Sequence, residues 1–143
     1  MDTDIRTPIP TVYGDQTKKF HDVWVSQVEL LKQKFGNAIE EVRMPVEYPT
    51  DVPIVYVAKD SIVAVLSALR NDPSFGYNFL ADLSCTDETP NEKRFEMVYQ
   101  LFSHSRFNRI RVKVRVREGE KVPTVIPVWI SANWAEREVY DMF

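Results

Sequence analysis

The chain is poor in the residue types from which most cofactor and metal sites are built. It has one cysteine, Cys85, in 143 residues. A single thiol excludes an internal disulfide and any cysteine cluster for zinc or iron–sulfur, and it suits a reducing compartment. His21 has no second ligand at a metal-binding spacing. The four glycines, Gly14, Gly36, Gly76 and Gly119, are too scattered for a phosphate-cradling loop or a dinucleotide fingerprint. Neither G-x-S-x-G nor H-E-x-x-H occurs, so no catalytic motif is visible. Basic residues are not in excess. A net charge of −3 and a pI near 5.4 argue against a dedicated nucleic-acid binder. Long apolar runs are missing too: Ile62 to Leu66 falls far short of the roughly 20 residues of a membrane span. Asp2 and Asp4 stand where a secretory leader would be basic and then apolar. Any membrane contact is expected to come through partners.

What is present fits one globular unit, with 44% hydrophobic and 27% charged residues. Residues 1–18, with Pro8, Pro10 and Gly14, read as an extended tail, and 19–143 as a single α+β domain. The most regular stretch is Arg94 to Arg117. Phe95, Met97, Tyr99 and Leu101 alternate with Arg94, Glu96, Val98 and Gln100. Ile110, Val112, Val114 and Val116 alternate with Arg109, Arg111, Lys113, Arg115 and Arg117. A period of two predicts a hairpin with one apolar face, which needs other elements packed on it.

Around that hairpin, Trp24, Val28, Leu31 and Phe35 make a stripe that predicts a helix from Asp22 to Phe35, stopped by Gly36. Ala38 to Tyr48 is an edge-strand candidate because of Pro45, and Pro53 to Ala58 a buried strand. Asp60 is expected to cap a helix over Ser61 to Arg70, with Ile62, Val65, Leu66 and Leu69 inward. Phe79 to Thr86 reads as a strand with Phe79, Ala81, Leu83 and Cys85 on one face, Cys85 being a small core residue. Val122 to Ile130, broken by Pro123 and Pro127, should drape over the domain. A last helix starts near Asn133, which with Glu136 fits a capping box. The expected fold is two-layered, a mixed sheet with helices on one face, in the order α-β-β-α-β-β-β-α.

Two stretches carry charge that needs an explanation. The basic side of the second hairpin strand suits a solvated face with Glu96 as a cross-strand partner, or a contact with an acidic protein. A nucleic-acid patch ranks last, because no aromatic residues interleave with the cations. The closing helix is different. Around its axis Glu136, Arg137, Glu138 and Asp141 fall at roughly 0°, 100°, 200° and 140°. Trp134, Tyr140, Met142 and Phe143 are mixed among them, and no clean buried stripe shows. Such a helix is expected to lie between two bodies. Asp82, Asp87 and Glu88 could instead pair as acid and base in a stand-alone small enzyme. Acidic residues at a turn are far more often solvated.

The closing segment, NWAEREVYDMF, resembles the signature of the C subunit of bacterial NADH:quinone oxidoreductase, respiratory complex I. The family pattern E-R-E-x-x-D-[ML]-F is matched by Glu136, Arg137, Glu138, Asp141, Met142 and Phe143. LADLSCTDE, RFEMVYQLFS, RIRVKVRV and VWISANW are similar to the family's preceding strands and linker. The family pattern continues past the phenylalanine, so the resemblance implies a chain trimmed after Phe143. It also implies a hydrophilic-arm subunit with no catalytic, cofactor or metal residues of its own, supporting the subunit that forms the quinone site. Trp134, Glu136, Arg137, Glu138, Asp141 and Phe143 would then face partner subunits of the complex, chiefly the D subunit, which forms that site, and the B subunit. Its place would be peripheral, on the cytoplasmic side of the bacterial inner membrane. A related domain in a membrane-bound hydrogenase or similar dehydrogenase complex is the alternative.

Overall fold

A computed structural model of the chain describes residues 8–143 apart from 46, 89, 91–92, 106–107, 130–131 and 143, with backbone alone for 8–21 and 141–142. Helix α1 spans Pro8–Phe35. It begins long before the apolar stripe at Trp24 becomes visible, so residues 8–18 are helical and not extended. Pro8 and Pro10 allow this because they fall in the first turn, where a backbone N–H has no helical partner to lose. Residues 1–7 of the expected tail lie outside the described residues. Trp24, Val28 and Leu31 are buried, and Gly36 takes a positive φ of 55° at the helix end.

Strand β1 (Ile39–Arg43) pairs antiparallel with β2 (Ile54–Val57), and β2 pairs parallel with β5 (Asn108–Val116). Strand β4 (Phe95–Ser103) lies antiparallel between β5 and β3 (Phe79–Asp87). The sheet therefore reads β1-β2-β5-β4-β3, with β1 at one edge. Pro45 falls just beyond β1, in an isolated bridge to Tyr48. A proline ends an edge strand at little cost, since the N–H it lacks would face outward. All four residues of β2 are buried, as expected of a strand with neighbours on both sides.

Helix α2 (Ile62–Asn71) buries Ile62, Val65, Leu66 and Leu69, the stripe that its period predicts. Asp60 does not cap it. It sits in a short 3-10 turn, Lys59–Ser61, that leads into the helix without a side-chain cap. Val28 and Leu31 of α1 and the α2 stripe share one core with Val55, Val57, Tyr99, Leu101, Ile110, Val112 and Val114. No strand forms over 121–129; this segment crosses the core and adds Val125, Val128 and Trp129. The Arg70 guanidinium donates to the Val128 carbonyl and lies over the Trp129 ring, pinning the segment to α2.

In β3 the simple alternation fails. A register shift between Leu80 and Asp82 turns both Leu80 and Leu83 inward, while Phe79 stays half exposed. One extra residue in an edge strand inverts the faces on either side of it. Cys85 is consequently half-buried, not a full core residue.

Candidate partner interface

Helix α3 (Ala132–Met142) packs over β3 through Ala132, Ala135 and Val139, spaced i, i+3 and i+7. The buried stripe that the sequence does not reveal is made of small residues, so the helix sits close to the sheet and its large side chains are left outside. Because the helix starts at Ala132, Asn133 lies within it and forms no capping box. Glu136 turns inward instead. Its carboxylate accepts from the Thr124 hydroxyl at 3.0 Å and from the Val125 backbone N–H at 3.1 Å. Those bonds fasten α3 to the segment that precedes it. Beneath, Tyr99 of β4 is almost fully buried. Burial pushes its hydroxyl pKa well up, and the negative charge of Glu136 adds to this, so the phenol stays protonated.

The outward side of α3 is another matter. Trp134 is 76% and Tyr140 84% exposed, although both are large and apolar in body. The Arg137 guanidinium lies 5.5 Å from the Trp134 ring centroid, three residues away on the same helix face. Arg137 and Glu138 are both exposed. An open, mostly apolar cleft of about 300 Å³ runs along the helix between Ile126, Asn133, Glu136, Arg137 and Tyr140. At roughly 100° per residue, Arg137, Trp134 and Glu138 fall within one third of the circumference, away from the stripe and from Glu136. The charges of the signature thus divide: Glu136 serves the chain's own packing, while Arg137 and Glu138 face out beside two aromatic rings. Asp141 belongs to α3, but its side chain lies outside the described residues, as does Phe143. Tyr140 and Ile126 complete the surface. Ile126 is hidden in the sequence because it comes from an irregular segment with no period to place it.

Among the described residues, Asp82, Asp87 and Glu88 are not brought together as an acid–base pair. Asp82 and Asp87 stand five positions apart in β3, about 17 Å along a strand. Asp87 is held by Arg94 through two bonds at 2.8 and 2.9 Å, and Glu88 accepts from Thr86 at 3.0 Å. Burial first, then Asp87 and Glu96, pushes the Cys85 thiol up, away from thiolate chemistry. Among the described residues no group of three or more His, Cys, Asp or Glu could hold a metal ion. No helix among them is long and apolar enough to cross a membrane.

Residues 55–143, which include the whole of this surface, match the family described as respiratory-chain NADH dehydrogenase, 30 Kd subunit. The NADH-quinone oxidoreductase C subunits of Brucella abortus (strain 2308) and Brucella ovis are each 40% identical to the chain over 114 residues, 79% of it and 54% of theirs. The chain spans about half the length of the curated relatives it matches. Among solved structures, a chain of an archaeal respiratory membrane complex, the membrane-bound sulfane sulfur reductase, shares the fold. It superposes with a TM-score of 0.64 at 22% identity, over 82% of this chain and 66% of that one.

Proposed function

The chain belongs to the family of the respiratory-chain NADH dehydrogenase 30 Kd subunit, and from that premise we propose that it is a structural component of an NADH:quinone oxidoreductase. In this reading it carries no redox group and supports the subunit that forms the quinone site. The observation that carries the proposal is the outward side of α3: two aromatic rings, 76% and 84% exposed, beside a guanidinium and a carboxylate. Large exposed aromatics rimmed by charge suit a surface that another protein covers, and Trp, Tyr and Arg are the residue types that dominate binding energy there. The occupants would be neighbouring members of the complex, chiefly the quinone-site D subunit, with the B subunit next to it. Asp141, near the end of the same helix, and Phe143, which follows it in the sequence, are proposed to extend the contact. The chain would lie peripherally, at the cytoplasmic side of the bacterial inner membrane.

The fold shared with a chain of an archaeal respiratory membrane complex favours one second reading, the same supporting role in a related membrane-bound hydrogenase or dehydrogenase assembly. The test is co-purification from native membranes of tagged wild type and of Arg137→Ala. Recovery of the quinone-site subunit that drops with the variant supports the reading. Undiminished recovery overturns it, and recovery of hydrogenase subunits in its place selects the second reading.

A further inference from the structure

The basic side of β5 points away from the helices, and α3 makes no use of it. At its centre lies Tyr56 of β2, only 1% exposed yet outside the core that the helices share. Cationic side chains cover it instead. The Arg115 guanidinium lies 3.8 Å and that of Arg43 5.0 Å from the ring centroid, with the Lys113 ammonium at 5.9 Å. Glu41 accepts from Arg43 at 2.6 Å and from Arg115 at 2.8 Å. Glu96 accepts from Lys113 at 3.2 Å and lies 3.9 Å from Arg115. Three cations thus share two carboxylates, both of them acceptors already engaged. Lys93 and Glu88 close the rim of the resulting polar cleft of about 370 Å³.

We propose that this cleft docks an acidic, carboxylate-bearing segment of a partner polypeptide. Positive charge exceeds negative within the three-cation cluster, and the aromatic ring beneath holds the guanidinium groups in place before anything binds. The cations reach one ring from two strands, and each already has a carboxylate partner. Arg43 on β1 and Arg115 on β5 flank β2, so their strands stand about 10 Å apart. A lone phosphate would have to displace Glu41 and Glu96 to engage the three cations together, whereas a segment with several carboxylates can use the guanidinium N–H groups that remain. A nucleotide would want an open ring to stack on, and Tyr56 is already covered. Carboxylates on alternate residues of an extended segment recur about every 7 Å on one side, so two of them can be met by cations gathered around one ring. The site is independent of the α3 surface, which packs from the opposite side of the sheet.

The test uses the full chain and a fluorescein-labelled oligoglutamate peptide, read by fluorescence anisotropy, with oligoglutamine and inorganic phosphate as comparison arms. Oligoglutamate should bind and oligoglutamine should not. Binding should weaken steeply from about 0.01 M to about 0.15 M salt, as the screening length falls from about 30 Å to about 8 Å. The Arg43→Gln/Lys113→Gln double variant should bind about tenfold more weakly, two charge-assisted contacts being lost. Should that variant fail to fold by circular dichroism, exposed Lys93→Glu decides: weakened binding supports the site, and unchanged binding overturns it. Absence of oligoglutamate binding at low salt overturns it as well, as does phosphate binding that is equally tight. Recovery of the quinone-site subunit stays unchanged in these variants if the α3 reading holds, so the two proposals fail separately.

Discussion

The Glu136 carboxylate and the Thr124 hydroxyl, joined at 3.0 Å, make the inward charge of α3 part of the chain's own architecture. The neighbouring Val125 N–H donates to the same group, and Val125 is fully buried. Glu136→Ala leaves that N–H without its acceptor and is expected to cost about 1–3 kcal/mol. The midpoint and slope of urea unfolding measure it. An unchanged midpoint would place α3's anchorage elsewhere.

The outward residues should behave in the opposite way. Trp134→Ala and Arg137→Ala remove little that the isolated chain uses, so unfolding free energy should stay within about 0.5 kcal/mol of wild type. Association with the quinone-site subunit should weaken by about 2 kcal/mol or more for either one, if they anchor that contact. Surface plasmon resonance on the purified pair separates the two effects.

Tryptophan emission offers a direct check on the helix. Trp24 and Trp129 are 7% and 6% exposed, against 76% for Trp134. Iodide should therefore quench mainly one component of the emission, the red-shifted one, and Trp134→Phe should abolish it. Equal quenching of wild type and variant would mean that α3 is turned the other way.

Acid should loosen the far side of the sheet. Hydrogen bonds from Arg115 first, and then Arg43, hold the Glu41 carboxyl below its ordinary value of 4.5. A carboxylate depressed in the folded state stabilises fully above the unfolded value, and that contribution is lost as pH falls through the lower folded value. Stability should thus decline below about pH 4.5 more steeply in wild type than in Glu41→Gln. Denaturant titrations at neutral pH and in the acid range compare the slopes.

In the core, Leu66 is fully buried among α1, α2 and the sheet. Leu66→Ala leaves a cavity that packed neighbours only partly close, and about 2–5 kcal/mol of unfolding free energy should be lost. Calorimetry would register this as a lower transition temperature with the fold retained.

Local pattern is readable wherever one period governs a whole element. The α2 stripe Ile62, Val65, Leu66 and Leu69, the alternation of Ile110 to Val116, and the edge placement that Pro45 imposes on β1 all follow from side-chain spacing against a single apolar layer. That Glu96 finds cationic partners across the hairpin is legible for the same reason, since antiparallel neighbours on one face must meet. Where spacing is irregular the pattern misleads. The extra residue between Leu80 and Asp82 inverts half of β3, and prolines that read as tail residues prove compatible with a first helical turn.

By itself the sequence determined the number, order and kind of elements, the apolar face of most of them, and the segment that resembles a family signature. Tertiary structure alone decided which signature charges serve the chain and which remain outward. It also decided that Tyr56 lies beneath three cations from two other strands. The reason is one of distance. Periodicity records only what neighbours along the chain share, whereas Glu136 finds Thr124 and Arg115 finds Glu41 across the fold, at separations of 12 and 74 residues.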